Sequence, residues 1–228
     1  MDFKEIEDKF QISNDQKNSF SSRGMVTSQS SYASEAGASI LRAGGNAVDA
    51  AIATALSLCV TEPQASGLGG QTMMLIKKDD DVIAVDGSSR APSLAHVNSI
   101  YKSDKATGYR AATVPSTPAT LWYIQDRYGK LPWGDVIEPA ISFAENGYMI
   151  TALQERLLIR EKNNFEKVES KSGLKLFYSE GEPYKQGEIF KQPELAQTLK
   201  RISKYGIEDF YRGKVARQID SDMRENGG

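Results

Sequence analysis

"AGGNAVDAAIATALSLCV", residues 43–60, decides the fold. After its double glycine the run is rich in alanine and apolar on nearly every side. A helix of that kind is buried on most of its surface. It is too short to span a bilayer, and Asp49 interrupts it, so it is no membrane helix. The reading that remains is a helix at the centre of a layered domain, with small side chains that let a neighbour approach closely. Gly44 and Gly45 stop the helix before it. Asn46 caps the new one, and Asp49 falls in its first turn, near the positive end of the helix dipole. Structure alone accounts for these residues.

Upstream, "SSYASEAGASILRAGG" (30–45) predicts a helix capped by Ser30 or Ser31, with Ala36, Ile40 and Leu41 on its apolar face. "GMVTS" (24–28) predicts a short strand at Met25 and Val26, and residues 1–23 read as a polar, disordered lead-in. Downstream, "TEPQASGLGGQ" (61–71) is a Pro/Gly loop. A β-hairpin follows, with strands 72–78 and 82–86 around an acidic turn at Asp79–Asp81. A loop carrying Tyr101 and Tyr109 leads to a helix opened by Thr117 and Pro118. The next helix ends at Asn146–Gly147, and Pro139 inside it predicts a kink or a restart near Ile137. "ITALQERLLIREKNNFEKV" (150–168) is helical, and residues 174–192 are strand or loop. Two helices, 193–206 and 206–228, complete the chain. There is no internal repeat. Two helices, a hairpin and then many helices indicate a layered α+β or α/β enzyme domain. The double glycine straight after the last helix leads to the expectation that the protein continues.

Composition narrows the functions. Hydrophobic residues make up 39% and charged residues 25% of 228, as in ordinary globular proteins. The net charge of −2 points neither to nucleic acid nor to an anionic membrane surface. The single cysteine, Cys59, forbids a disulfide within the chain and reads as buried. The single histidine, His96, rules out a multi-histidine metal site here and reads as a surface or satisfied residue. Trp122 and Trp133 read as core or interface. The N-terminus is charged from residue 2 and lacks an apolar signal segment, so a cytoplasmic location is expected.

Two loops are candidates for chemistry. Gly67-Leu68-Gly69-Gly70 lacks the lysine of a phosphate-binding loop and precedes a strand, so it fails both nucleotide fingerprints. It reads as a tight turn with positive φ that brings backbone N–H groups near a site. The strip Asp86-Gly87-Ser88-Ser89-Arg90 is the second. If the strand continues, Ser88 and Arg90 share one side, and a hydroxyl with a guanidinium makes a carboxylate cradle. The competing reading is a surface arginine, solvated or paired with Asp86.

"AGGNAVDAA", "EPQASGLGG", "VPSTPATLW" with "YGKLPW", and "EPAISFAENG" occur together and in order. On these motifs, from about residue 24 to its end, the chain resembles the N-terminal part of the γ-glutamyltransferase large chain. The resemblance implies an α+β, four-layer αββα fold of the N-terminal-nucleophile hydrolases. It implies a precursor that cleaves itself, with the new N-terminal threonine of the small chain as nucleophile. It implies transfer of an acyl group from a γ-glutamyl amide such as glutathione to water or an amino acid, with no metal or organic cofactor. The expected partners are the protein's own small chain and a small-molecule amide, and neither nucleic acid nor membrane. The nucleophile lies outside this chain, which therefore holds no catalytic residue and is expected to be inactive alone.

The resemblance breaks at one place. Typical members read Asp-x-Arg-Glu-x-Ala-Pro after the hairpin, and the arginine grips the donor's α-carboxylate. Here Asp86, Ala91 and Pro92 match, while Ser88 stands for the arginine and Ser89 for the glutamate. Arg90 lies two positions later. The substrate-binding candidates are therefore Arg90, Ser88 and Ser89. The Gly-Ser-x-Arg pattern is similar to the family's cephalosporin-acylase branch, whose substrates are glutaryl-type amides. The alternatives to γ-glutamyl transfer are that activity or a non-catalytic relative.

Overall fold

The computed structural model describes residues 20–98, 101, 104, 107–168 and 170–228. The lead-in expected at 1–23 lies mostly outside them. Residues 20–23 are exposed and without regular structure.

The chain opens with α1 (Ser31–Arg42) and α2 (Ala47–Thr61). They cross at Gly37, where an added Cβ would overlap the Thr54 hydroxyl and stand 2.9 Å from the Ala50 carbonyl oxygen. α2 is buried over most of its surface from Val48 to Thr61, with Ala51 left exposed, as its nearly all-round apolar character leads one to expect. The Asn46 side chain accepts from the Val48 and Asp49 N–H groups, and Asp49 accepts from the Asn46 N–H, a reciprocal cap. Ser30 stands at the N-cap of α1 but its side chain makes no cap bond. The strand expected at Met25–Val26 does not form; Val26 packs against α1 near Gly37 with no strand beside it among the described residues.

β1 (Thr72–Lys78) and β2 (Asp81–Gly87) form an antiparallel hairpin. Lys78 pairs with Asp81, so the turn is Asp79–Asp80, with Asp79 at φ 52°. This is one residue tighter than the turn expected from sequence. One hairpin face, with Met74, Ile76, Ile83 and Val85, packs on the core. The other leaves Met73, Leu75 and Val82 at 66%, 75% and 66% exposure.

α3 (Thr117–Tyr128) lies against both strands. α4 (Trp133–Asn146) packs on α2 and runs unbroken through Pro139, so no restart occurs at Ile137. Val136, Ile137, Ala140, Ile141 and Ala144 are its buried face, and that packing outweighs the bond Pro139 removes. The pair β3 (Tyr148–Met149) and β6 (Ile189–Phe190) brackets α5 (Ala152–Lys167), α6 (Ser172–Phe177) and the small hairpin β4 (Tyr178–Ser179) with β5 (Glu182–Pro183). The segment expected as strand or loop from Leu174 thus begins as the end of a helix.

α7 (Pro193–Tyr205) covers α4. The last expected helix is two, α8 (Glu208–Tyr211) and α9 (Lys214–Glu225). The Asp209 carboxylate breaks it: it accepts from the Lys214 N–H and takes the Arg201 guanidinium on both oxygens, at 2.8 and 2.7 Å. The result is α+β, a helical layer over one face of a two-stranded ribbon. Trp122 and Trp133 meet edge-on at 5.1 Å, and Cys59 is buried in the core.

Candidate functional site

The open end of the hairpin is where chemistry-bearing residues converge. Thr72 opposes Gly87, and beyond that pair each strand leaves the ladder. Gly87 is set by close approach: an added Cβ would overlap the Thr120 hydroxyl and stand 2.5 Å from the Thr72 carbonyl oxygen. Helix α3 can therefore lie directly on the hairpin end. The Ser116 hydroxyl donates to the Gly87 carbonyl, and the Thr72 hydroxyl donates to the Thr117 hydroxyl. The Gly70 carbonyl accepts from the Ser116 and Thr117 N–H groups at 3.0 and 3.2 Å, joining the glycine loop to the start of α3.

The glycine loop turns without positive φ. It closes through the Gly70 N–H on the Gly67 carbonyl at 3.2 Å, and Gly67, Gly69 and Gly70 all avoid the left-handed region. That corrects the expectation from sequence. A cleft of about 450 Å³ opens beside it, walled by Leu58 and Cys59 of α2, residues 63–67, and Gln71, Thr72 and Thr117. At its edge, burial lifts the Glu62 carboxyl above its ordinary range, while the bond from the Gln64 amide pulls the other way. Burial pushes the Cys59 thiol up to about 12, so it is no nucleophile.

The strip 86–90 is not a continued strand. Asp86 Oδ1 accepts from the Ser88 N–H at 3.0 Å and its hydroxyl at 2.6 Å, a local turn that ends the ladder. Those two bonds, the hydroxyl's first, hold the Asp86 carboxyl below its ordinary range. Asp86 is thereby engaged by Ser88 rather than by Arg90. Ser89 is half-buried and turns to Gln71, whose Oε1 accepts from the Ser89 N–H at 3.2 Å and its hydroxyl at 3.3 Å. Arg90 rejoins a ladder: its carbonyl accepts from the Val114 N–H at 2.8 Å, and its own N–H reaches the Val114 carbonyl at 3.4 Å. Its side chain is exposed. Ser88 is exposed too, with its hydroxyl turned back on Asp86. His96 is exposed in the loop beyond.

The structure brings Ser88, Ser89 and Arg90 onto one short rim. It adds Gln71, which sequence reading missed. The signal was the hairpin register, since Gln71 stands immediately before a strand whose first residue faces Gly87. A second cleft, of about 460 Å³, lies between α5, α6 and β6. It is lined mainly by Leu157, Leu158, Phe165, Phe177 and Phe190, and its Gln154 amide is spent on the Thr61 carbonyl and the Tyr148 hydroxyl. Gln64, Thr107, Arg160, Glu161 and Asn164 also line it, and the Glu161 carboxylate is already engaged by the Arg160 guanidinium and the Asn164 amide.

A profile of the Gamma-glutamyltranspeptidase family matches residues 33–228. The "Glutathione hydrolase proenzyme" of Escherichia coli is 36% identical over 216 residues, spanning 90% of this chain and 37% of that protein. The solved Helicobacter pylori gamma-glutamyltranspeptidase superposes with a TM-score of 0.88 at 34% identity, over 92% of this chain and 62% of that one. The cephalosporin acylase of Bacillus halodurans gives 0.79 at 32% identity, over 86% and 38%. A helical layer on a hairpin with a polar rim at its open end is therefore part of an N-terminal-nucleophile hydrolase scaffold. The chain belongs to the γ-glutamyltranspeptidase family. It spans little more than a third of the length of the Escherichia coli relative.

Proposed function

We propose that the complete protein is a self-processing amide acyltransferase or hydrolase acting on γ-glutamyl compounds such as glutathione, through an N-terminal threonine outside this chain. The observation that carries the reading is the rim at residues 86–90, built on a chain 36% identical to a glutathione hydrolase proenzyme. In it, Arg90 is the only cation, and it faces solvent with its backbone pinned to Val114. A guanidinium so placed can take a donor carboxylate on two N–H groups. The partner is the protein's own downstream chain. Its docking on the hairpin is supported by the bare apolar face at Met73, Leu75 and Val82. Mass spectrometry of the purified complete protein tests this: two fragments are expected, the smaller beginning with threonine. An uncut chain with no turnover overturns it.

A second reading has its own observation. Ser88 occupies the position of the family's arginine, and its hydroxyl is spent on Asp86. A site that grips only through Arg90 favours a glutaryl-type acyl group, which keeps the distal carboxylate but has no α-amine. Parallel assays with γ-glutamyl and glutaryl anilides separate the two. A strong preference for the γ-glutamyl donor removes the second.

A further inference from the structure

We propose that Gln71, on the reading of the site given above, is a positioning residue that sets the donor rim by acting through Ser89. It has one foot in each half of the site. Gln71 is one of the residues that wall the cleft beside the glycine loop. Its Oε1 also accepts from both the N–H and the hydroxyl of Ser89. Between Gly87 and Arg90 the strip has no ladder bonds of its own. Ser88 is folded locally onto Asp86, which shapes a turn but ties the strip to nothing beyond β2. The Gln71–Ser89 pair is the tie from that stretch to the β1 side, and the Val114 pair holds the far end. Arg90 follows Ser89 directly, so fixing the Ser89 backbone fixes the direction from which the guanidinium leaves the chain. Losing that tie frees the backbone at Ser88 and Ser89. It leaves Arg90 attached on one side only, so its carboxylate grip is paid in ordering. The effect belongs to carboxylate binding and not to acyl transfer.

Three donors and a double-substitution cycle test this in the complete, processed protein. The donors are the γ-glutamyl anilide, the glutaryl anilide and the butyryl anilide, the last lacking the carboxylate. The variants are Gln71→Leu, Ser89→Ala and the pair. Gln71→Leu is expected to raise the KM of both carboxylate donors roughly three- to tenfold, the scale of one or two neutral hydrogen bonds, with kcat held. The butyryl donor is expected to show no change. The pair is expected to match Gln71→Leu alone, since both changes cut one connection. Additive effects, an equal change for the butyryl donor, or a fall in kcat with KM unmoved would overturn the proposal while leaving the family activity intact. If none of the three donors is turned over by the unsubstituted protein, the parent reading fails and takes this one with it. Should Gln71→Leu not fold, Ser89→Ala alone decides, because it removes one bond of the same tie: an unmoved KM for the carboxylate donors overturns the proposal.

Discussion

The Gln125 side-chain amide donates to Asp49 Oδ1 at 2.7 Å, joining α2 to α3 across 76 positions of sequence. Asp49 is fully buried, and it also accepts from the N–H groups of Asn46, Lys130 and Leu131. No cation balances it among these contacts. Four N–H groups do the work that an ion pair does elsewhere, and they fix the α3–α4 connection against the start of α2. That explains why "GGNAVDAA" and "YGKLPW" belong together.

Removing the Asp49 carboxylate leaves those donors buried without partners. Asp49→Ala is expected to destabilise the protein by about 3–5 kcal/mol, as loss of one member of a buried charged network does. Asp49→Asn keeps one acceptor oxygen and is expected to cost about 1–3 kcal/mol. Urea unfolding of the complete protein checks both, and equal losses for the two variants would refute the network.

The same carboxylate gives an acid dependence. Burial raises its pKa, but the hydrogen bonds from Asn46, Gln125, Lys130 and Leu131 together outweigh that, and the net direction is downward. A folded-state pKa below the unfolded one contributes stability above the unfolded carboxylate value. That stability is lost as pH falls through the folded value. Asp49→Asn is therefore expected to show a flatter decline on the acid side than the unsubstituted protein. Melting temperatures measured from neutral pH down to pH 3 decide it.

Gly87 is where helix α3 touches the hairpin end, and alanine there meets Thr120 and the Thr72 carbonyl. Gly87→Ala is expected to cost about 1–3 kcal/mol by overpacking. Adding Thr120→Ala should recover part of the loss, because it clears one of the two obstacles. No recovery in thermal unfolding would place the strain elsewhere.

The helices were legible where an apolar face or a cap wrote them into the chain. α2 reads directly from its alanine-rich run, and Asn46 and Asp49 cap it as their spacing suggests. What escaped was decided by single long-range contacts. The break between α8 and α9 depends on Asp209 meeting Arg201, eight positions away, and on its bond to Lys214. The candidate rim was legible only as residue types. A turn of three residues would pair Lys78 with Val82, whereas the structure pairs Lys78 with Asp81. Carried one step past the strands, the expected register sets Ser89 opposite Gln71 and the observed one sets Ser88 there; the tie to Ser89 comes instead from the Gln71 side chain, once the strip has left the ladder. Ser88 likewise read as a donor-facing hydroxyl, but proximity to Asp86 gave it a nearer acceptor.

Arg90 carries the sharpest prediction. Its guanidinium is exposed, so it adds little to folding, and Arg90→Ala is expected to leave thermal unfolding nearly unchanged. On the function proposed above, a donor bound in the complete protein covers this rim and desolvates the pair. Truncating one partner of such a pair costs about 2 kcal/mol at the lower end of the range, roughly thirtyfold in KM for a carboxylate-bearing donor. Arg90→Lys keeps the charge but loses the planar two-point contact, and it should recover only part of that factor. A butyryl anilide, with no carboxylate to grip, should respond to neither change. KM values for carboxylate donors that ignore Arg90→Ala would return the residue to the surface and leave the grip to a group outside this chain.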